Sequence, residues 1–412
     1  MRTHATHRTI LARTATRVAL VAALAGPLTA EAVTAAAGPA QEPAPEDAPT
    51  TEESTDDSVA GAAANAALEL QMERATRLAE LASLLDLGLV SDALELGLPL
   101  VAAGPPPGPL VDDGRAIALV ARALDDAGRG DEARDLLIAA NVIPATGPWI
   151  ELEWARLDLV QDELDSALRR LVREDGTLRL PDFPQAWMLT GRALARRGSL
   201  GAAARYLNGY LERAPYAPDT VSALHILHLE ALQRRDAEAA TALLAESERR
   251  RRAFELIRAR SLQVRANPKD ALPRYGLGLA YLELGDTRAA TAALEELVEL
   301  QPDFARAYFQ LGEARRLSGD REGAVLAFGE GLARDPDDHK CRLNRGLVLG
   351  QLARYDEALT DLEFLLRSDV AGTAEYAGIY LGLARVYDRT ERPEAADQAY
   401  AKYRELGGDQ PR

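Results

Sequence analysis

Small residues twelve positions apart return along this chain at a step of 34 residues: Gly278 with Ala290, Gly312 with Ala324, Gly346 with Ala358. Earlier copies pair Ala121 with Ala133, Ala155 with Ala167 and Gly191 with Ala203, and the last pairs Ala384 with Ala396. Two weaker copies put a large residue first, Leu81 before Ala93 and His228 before Ala240. Between the two small residues lies a break, plainest as Gly285-Asp286 and Gly319-Asp320. There glycine supplies a left-handed cap to one helix and aspartate an N-cap to the next. Gly198-Ser199 reads the same way with serine as the cap. Pro215, Pro302 and Pro336 stop the second helix of their copies. Each copy therefore predicts two helices, whose axes approach closely because the facing residues are small.

Composition agrees with an all-α chain. Hydrophobic residues make up 47% and charged residues 27% of the 412, rich in Ala, Leu, Arg and Glu, while strand-type runs are scarce. The net charge of -16 argues against nucleic acid as a partner, since a phosphate backbone needs a positive surface. The single cysteine, Cys341, allows no disulfide within the chain, so stability rests on packing.

A 34-residue helical hairpin with this skeleton resembles the tetratricopeptide repeat family. Trp187, Gly191, Leu194, Gly198, Ala203 and Pro215 match the family pattern, as do Leu277, Gly278, Tyr281, Gly285, Ala290 and Pro302. A third set is Tyr308, Leu311, Gly312, Gly319, Ala324, Phe328 and Pro336. The clearest copies are 184–217, 271–304, 305–338 and 339–372; 114–147, 148–181 and 377–410 are less regular, and 74–107 and 221–254 least so. The resemblance implies a right-handed α-solenoid of eight to nine helix-turn-helix repeats. It also implies a non-enzymatic scaffold whose concave side, lined by the first helix of each copy, holds a peptide or helix of a partner protein.

On that side the expected groove residues are Tyr275, Leu279, Leu282, Arg306, Phe309, Glu313, Arg316, Leu343 and Leu347. The family's chaperone-binding members clamp a C-terminal carboxylate with Lys, Asn, Asn, Lys and Arg. Here those slots hold Tyr275, Leu279, Gln310, Lys340 and Asn344, so only Lys340 matches and a different ligand is expected. A binder of a glycan or other small ligand, or an accessory subunit of an envelope enzyme, is the alternative.

The array has irregular places. "GPPPGP" (Gly104–Pro109) lengthens one junction and "REDGTLRLPDFP" (Arg173–Pro184) loosens another. About half a repeat too much lies between Ala240 and Gly278, which predicts a long or additional helix and a division there. The expected domains are an N-terminal array, 64–254, and a C-terminal array, 255–412.

Before them, Arg2, Arg8, Arg13 and Arg17 precede the apolar run Val18–Leu28 and Ala30-Glu31-Ala32, the pattern of a cleaved signal peptide over 1–32. Export to the periplasm or beyond the cell is expected, with no membrane anchor after cleavage. Residues 33–63, Pro- and Ala-rich with many carboxylates, read as a disordered acidic linker.

Little in the sequence points to chemistry. His225 and His228 stand one turn apart without further ligands in pattern, so no metal or cofactor is expected. Cys341 reads as a structural thiol, and Glu295-Glu296 and Asp337-Asp338 as ordinary surface and turn acids. No nucleophile elbow, phosphate loop or zinc-protease motif occurs, so no catalytic residue is assigned. Arg249, Arg250, Arg251 and Arg252 form a second candidate surface, a patch for an acidic partner.

Overall fold

The computed structural model describes residues 56–101, 113–140 and 147–408. The expected signal peptide, most of the expected linker and the Gly104–Pro109 junction lie outside the described residues. The described chain is all-α and divides into two units, one ending at Phe254 and one beginning at Glu255.

Unit 1 is built of hairpins. α1 (Asp56–Asp86) pairs with α2 (Val90–Val101), α3 (Gly114–Asp126) with α4 (Gly130–Ala140), and α5 (Gly147–Val160) with α6 (Leu164–Leu171). α7 (Pro184–Arg196) and α8 (Leu200–Arg213) follow, then α9 (Thr220–Gln233), which leads into α10 (Ala237–Ala266). Unit 2 holds α11 (Leu272–Leu284) with α12 (Thr287–Leu300), and α13 (Ala305–Ser318) with α14 (Arg321–Arg334). It continues with α15 (His339–Gln351) and α16 (Tyr355–Leu366), then α17 (Gly378–Arg389) and α18 (Pro393–Glu405). The surplus between Ala240 and Gly278 is taken up by α10, one helix of 30 residues.

One boundary differs from the sequence reading. α1 starts at Asp56, inside the segment expected to be linker to residue 63. Alanines crowd residues 60–67, and alanine costs least to fix in a helix.

The turns follow the caps. Gly285 and Gly319 adopt φ of 89° and 88°, a left-handed conformation that costs a residue without Cβ little. Asp286 then accepts from the Ala289 amide and Asp320 from the Gly323 amide. Serine does not act likewise: Ser199 makes no side-chain cap bond, and the turn there is held by Gly198 at φ 83°.

Each small residue has a large complement sixteen positions on. A Cβ atom on Gly278 would stand 2.6 Å from Leu294, one on Gly312 2.4 Å from Phe328, and one on Gly191 2.4 Å from Leu207. These distances are below any ordinary contact, so the second-helix side chain fills the space that a first-helix side chain would need. In the first hairpin the polarity is reversed. Leu81 is the large member, fully buried, and Gly97 on α2 makes the room, its Cβ position only 3.3 Å from a Leu81 methyl. In that copy the small and the large member have changed places. Where both members are large, His228 and Leu244, the leucine stays 37% exposed.

Candidate functional site

In unit 2 the first helices α11, α13 and α15 present one face to their own hairpin partners and leave another outside it. On α11 the hairpin face carries Leu277, Gly278, Tyr281 and Leu284, all buried. Leu272, Tyr275, Leu279 and Leu282 run down the other side at intervals of three and four residues, the spacing of one helix stripe. The unbroken 34-residue step puts Phe309 and Leu343 in the position of Tyr275, and Glu313 and Leu347 in that of Leu279. Arg316 corresponds to Leu282, and Arg306 and Lys340 to Leu272. Rows of side chains therefore run across the three helices.

These rows are not equally free. Leu272 is 63% and Leu279 36% exposed, and Arg306 is exposed. Tyr275 is half-buried, its ring 5.1 Å from that of Phe304. Phe309 leans into the core beside Phe328, ring centres 6.1 Å apart. Leu343 packs on the cluster of Leu362, Leu365 and Ile379. A Cβ on Gly382 would stand 2.8 Å from a Leu347 methyl, so α17 closes over that side chain. Glu313 and Arg316 bind one another through two hydrogen bonds of 3.1 and 2.7 Å. Of the nine expected residues, then, Leu279 and Arg306 are the ones left exposed. Leu272, which the sequence reading passed over, joins them. Its place at the start of the helix next to Pro273 makes it look like a turn residue, and only the stripe Leu272–Tyr275–Leu279 would have found it.

Lys340 meets Glu375 at 2.7 Å, so the one residue that matched a carboxylate clamp already has a carboxylate. The four consecutive arginines on α10 do not act as one patch. Glu246 binds Arg249 at 2.7 Å and Arg250 at 2.6 Å, and Arg250 also donates to the Pro215 carbonyl. Arg251 and Arg252 are exposed.

Several polar groups have structural duties that the sequence hid. Glu296, read as a surface acid, pairs at 2.9 Å with Arg274, which is buried; burial pushes the Glu296 carboxyl up. Glu295 holds Arg315 at 2.7 Å, and Asp338 caps α15 by accepting from the Cys341 amide. Asp361, only 1% exposed, takes two 2.7 Å bonds from Arg345, with Arg342 at 3.6 Å. A buried carboxylate needs such partners, because its desolvation is otherwise uncompensated. The Cys341 thiol is buried, donates to the Phe328 carbonyl at 3.2 Å, and is pushed up to about 12 by burial. His228 places Nδ1 2.8 Å from the Ala240 carbonyl, and its ring lies 6.0 Å from that of His225. Among the described residues no helix is long and apolar enough to cross a membrane.

A family model described as tetratricopeptide repeat matches residues 152–218, 275–339 and 343–411. A TPR repeat-containing protein of Pseudomonas aeruginosa is 42% identical over 64 residues, 16% of this chain. The chain spans 61% of that relative's length. Among solved structures, MamA matches with 20% identity and a TM-score of 0.34, over 43% of this chain and 93% of its own. YrrB, a TPR protein with an unusual peptide-binding site, matches with 13% identity and a TM-score of 0.32, over 59% and 92%.

Proposed function

The chain belongs to the tetratricopeptide repeat family, and on that premise we propose that it is a non-enzymatic scaffold binding a protein partner. The partner presents a peptide or helix to the face made by α11, α13 and α15, and the encounter takes place in the cell envelope or outside the cell. The observation that carries this reading is the exposed apolar stripe of α11. Leucines at 63% and 36% exposure, Leu272 and Leu279, flank Tyr275 on a face that its own hairpin leaves uncovered. Such side chains add nothing to the hairpin core, whereas each buries apolar area at about 25 cal/mol per Å² once a partner covers it. Export rests on the basic and apolar N-terminal pattern of residues 1–32.

The test is capture from envelope extracts with the full chain, against a variant carrying Leu272→Asp and Leu279→Asp. Both side chains are exposed, so the variant should keep its helical circular dichroism and lose the captured protein. Equal capture by the two chains moves the binding surface elsewhere. Export is tested separately, by the mass of the mature N-terminus in the envelope fraction. An intact precursor confined to the cytoplasm would end that part of the reading.

A further inference from the structure

The first helix of unit 1 is too long for its hairpin. α1 has 31 residues and its partner α2 only 12. The tight turn over residues 87–89 starts the pairing at Asp86, so α2 reaches back to about residue 75 and leaves about 28 Å of α1 overhanging, at 1.5 Å per residue. Burial agrees. Among the described residues Leu78 is the first buried one of α1, and Glu69, Gln71, Met72 and Glu73 are exposed. The overhang, residues 56–74, has the residues to meet another helix. Val59, Ala63, Ala66 and Leu70 recur at the intervals of one helix stripe, and its small members let a second helix come close. Asp56, Asp57 and Glu69 make it negative, and no Lys or Arg lies between Arg17 and Arg74.

The last hairpin of unit 1 leaves a stripe uncovered. Counted from the small-residue position, His225, Leu229 and Leu232 on α9 stand where Tyr275, Leu279 and Leu282 stand on α11. The places of His225 and Leu232 are taken on α5 by Leu152 and Leu159, both buried, and on α7 by Met188 and Ala195, buried and half-buried. There each first helix packs beside the next. No further first helix of unit 1 follows α9, and His225 is exposed, with Leu229 at 40% and Leu232 at 51%.

One cation of this face is unspent. Arg192 on α7 lies in the row of Leu229, as Arg156 does on α5. Arg156 is taken by Asp125 and Glu153 at 3.0 and 2.6 Å, whereas Arg192 is exposed and meets no carboxylate among the described residues. Residues 183–211 contain no acid at all. Glu230, beside Leu229, is held by Arg234 at 2.8 Å. Asp236 and Glu238 stand at the start of α10, which packs on the His228 side of α9, away from the stripe. Asp182 and Asp219 precede α7 and α9, about 15 Å along the axis from Arg192 and Leu229.

We propose that the α9 stripe is a docking surface for a second copy of this chain, and that its occupant is the overhanging start of that copy's α1. Apolar side chains of the arm cover Leu229 and Leu232 while one of its carboxylates meets Arg192, a helix-in-groove contact. The arm does not serve its own chain. α1 is unbroken from Asp56 to Asp86, so its overhang continues the axis past its hairpin instead of turning back onto α9. A net charge of -16 on each copy opposes association at long range, but physiological salt screens that field beyond about 8 Å, and the contact itself joins opposite signs. The surface is apart from the α11 stripe and stands independently of it.

The test is sedimentation equilibrium of the full chain in physiological salt. The weight-average mass should rise with concentration above that of one chain. Leu229→Asp with Leu232→Asp should hold it at one chain, and so should Val59→Asp with Leu70→Asp, both with unchanged circular dichroism. Mixed, the two variants should associate again, because one supplies an intact arm and the other an intact stripe. Arg192→Glu should weaken self-association about tenfold, while Arg192→Lys should retain most of it. A wild type of single-chain mass at every concentration would overturn the proposal and leave the stripe to a helix of another protein. Self-association that survives Leu229→Asp with Leu232→Asp would place the contact elsewhere. A mixture that stays at single-chain mass would overturn the pairing of arm with stripe. If an aspartate pair unfolds its chain, serine at the same two positions takes its place.

Discussion

From Ala271 to Gly372 three hairpins succeed one another without insertion, and each closes by a glycine on the first helix beneath a large residue sixteen positions on. From Gly147 to Phe183 the same plan meets a shortened second helix and a loop, and side-chain hydrogen bonds hold what helix packing does not. The difference teaches where each region is vulnerable. A close-packed hairpin has no room for an added atom, because its contacts are already at van der Waals distance. A loop held by a few polar bonds tolerates added volume but not the loss of a donor.

The sharpest way to separate the regions is through Cys341, which reports on unit 2 alone. With its pKa raised from 9.0 to about 12, the thiol is ionised about one part in 10⁴ at pH 8, against about one part in ten when unfolded. Labelling should therefore run roughly 1000-fold slower in native chain than in urea, and rise about tenfold per pH unit. Fast native labelling would place Cys341 outside the core.

Next in size is overpacking. Gly312→Val, driven into Phe328, should cost about 3 kcal/mol by urea unfolding and speed Cys341 labelling. Gly191→Val, facing Leu207 at the same distance, should cost as much yet leave Cys341 protected if the units open separately. Acceleration by both would break the comparison.

In the irregular hairpin, Tyr206→Phe removes the bond to the Gly176 carbonyl and should cost about 1 kcal/mol. Hydrogen exchange should show the loss in Val172–Phe183 first. A uniform loss over α7 and α8 would mean that the tyrosine serves packing instead.

The smallest effect sharpens the turns. Asp320→Ala deletes a cap bond and should lower stability by about 1 kcal/mol, whereas Ser199→Ala deletes none and should change it by only a few tenths. Equal losses would restore serine as a cap.

Much of the architecture was legible because its signals are local. Gly285-Asp286 states the end of one helix and the start of the next within two residues, and the 34-residue step repeats the statement. The inverted hairpin was not legible. Leu81 in the slot of a small residue reads as a weak copy, whereas Gly97 complements it, since one small member suffices whichever helix carries it. The groove was legible as a stripe but not as a surface. Phe309 and Leu347 lie on the right side of their helices and are drawn into packing, while Leu272 stays out. The four arginines of α10 were conspicuous in the sequence, and Glu246 one turn earlier takes two of them.

By itself the sequence determined an all-α array of hairpins, because helix periodicity, caps and small-residue spacing act over distances set by one or two turns of chain. Which charges remain free and which leucines stay uncovered were decided only in the tertiary structure. Arg170 and Arg169 are neighbours in sequence, and one is spent on Glu151 and Asp158 while the other is not. That outcome depends on what a neighbouring helix brings within about 3 Å, the range over which a hydrogen bond forms and no sequence interval reads.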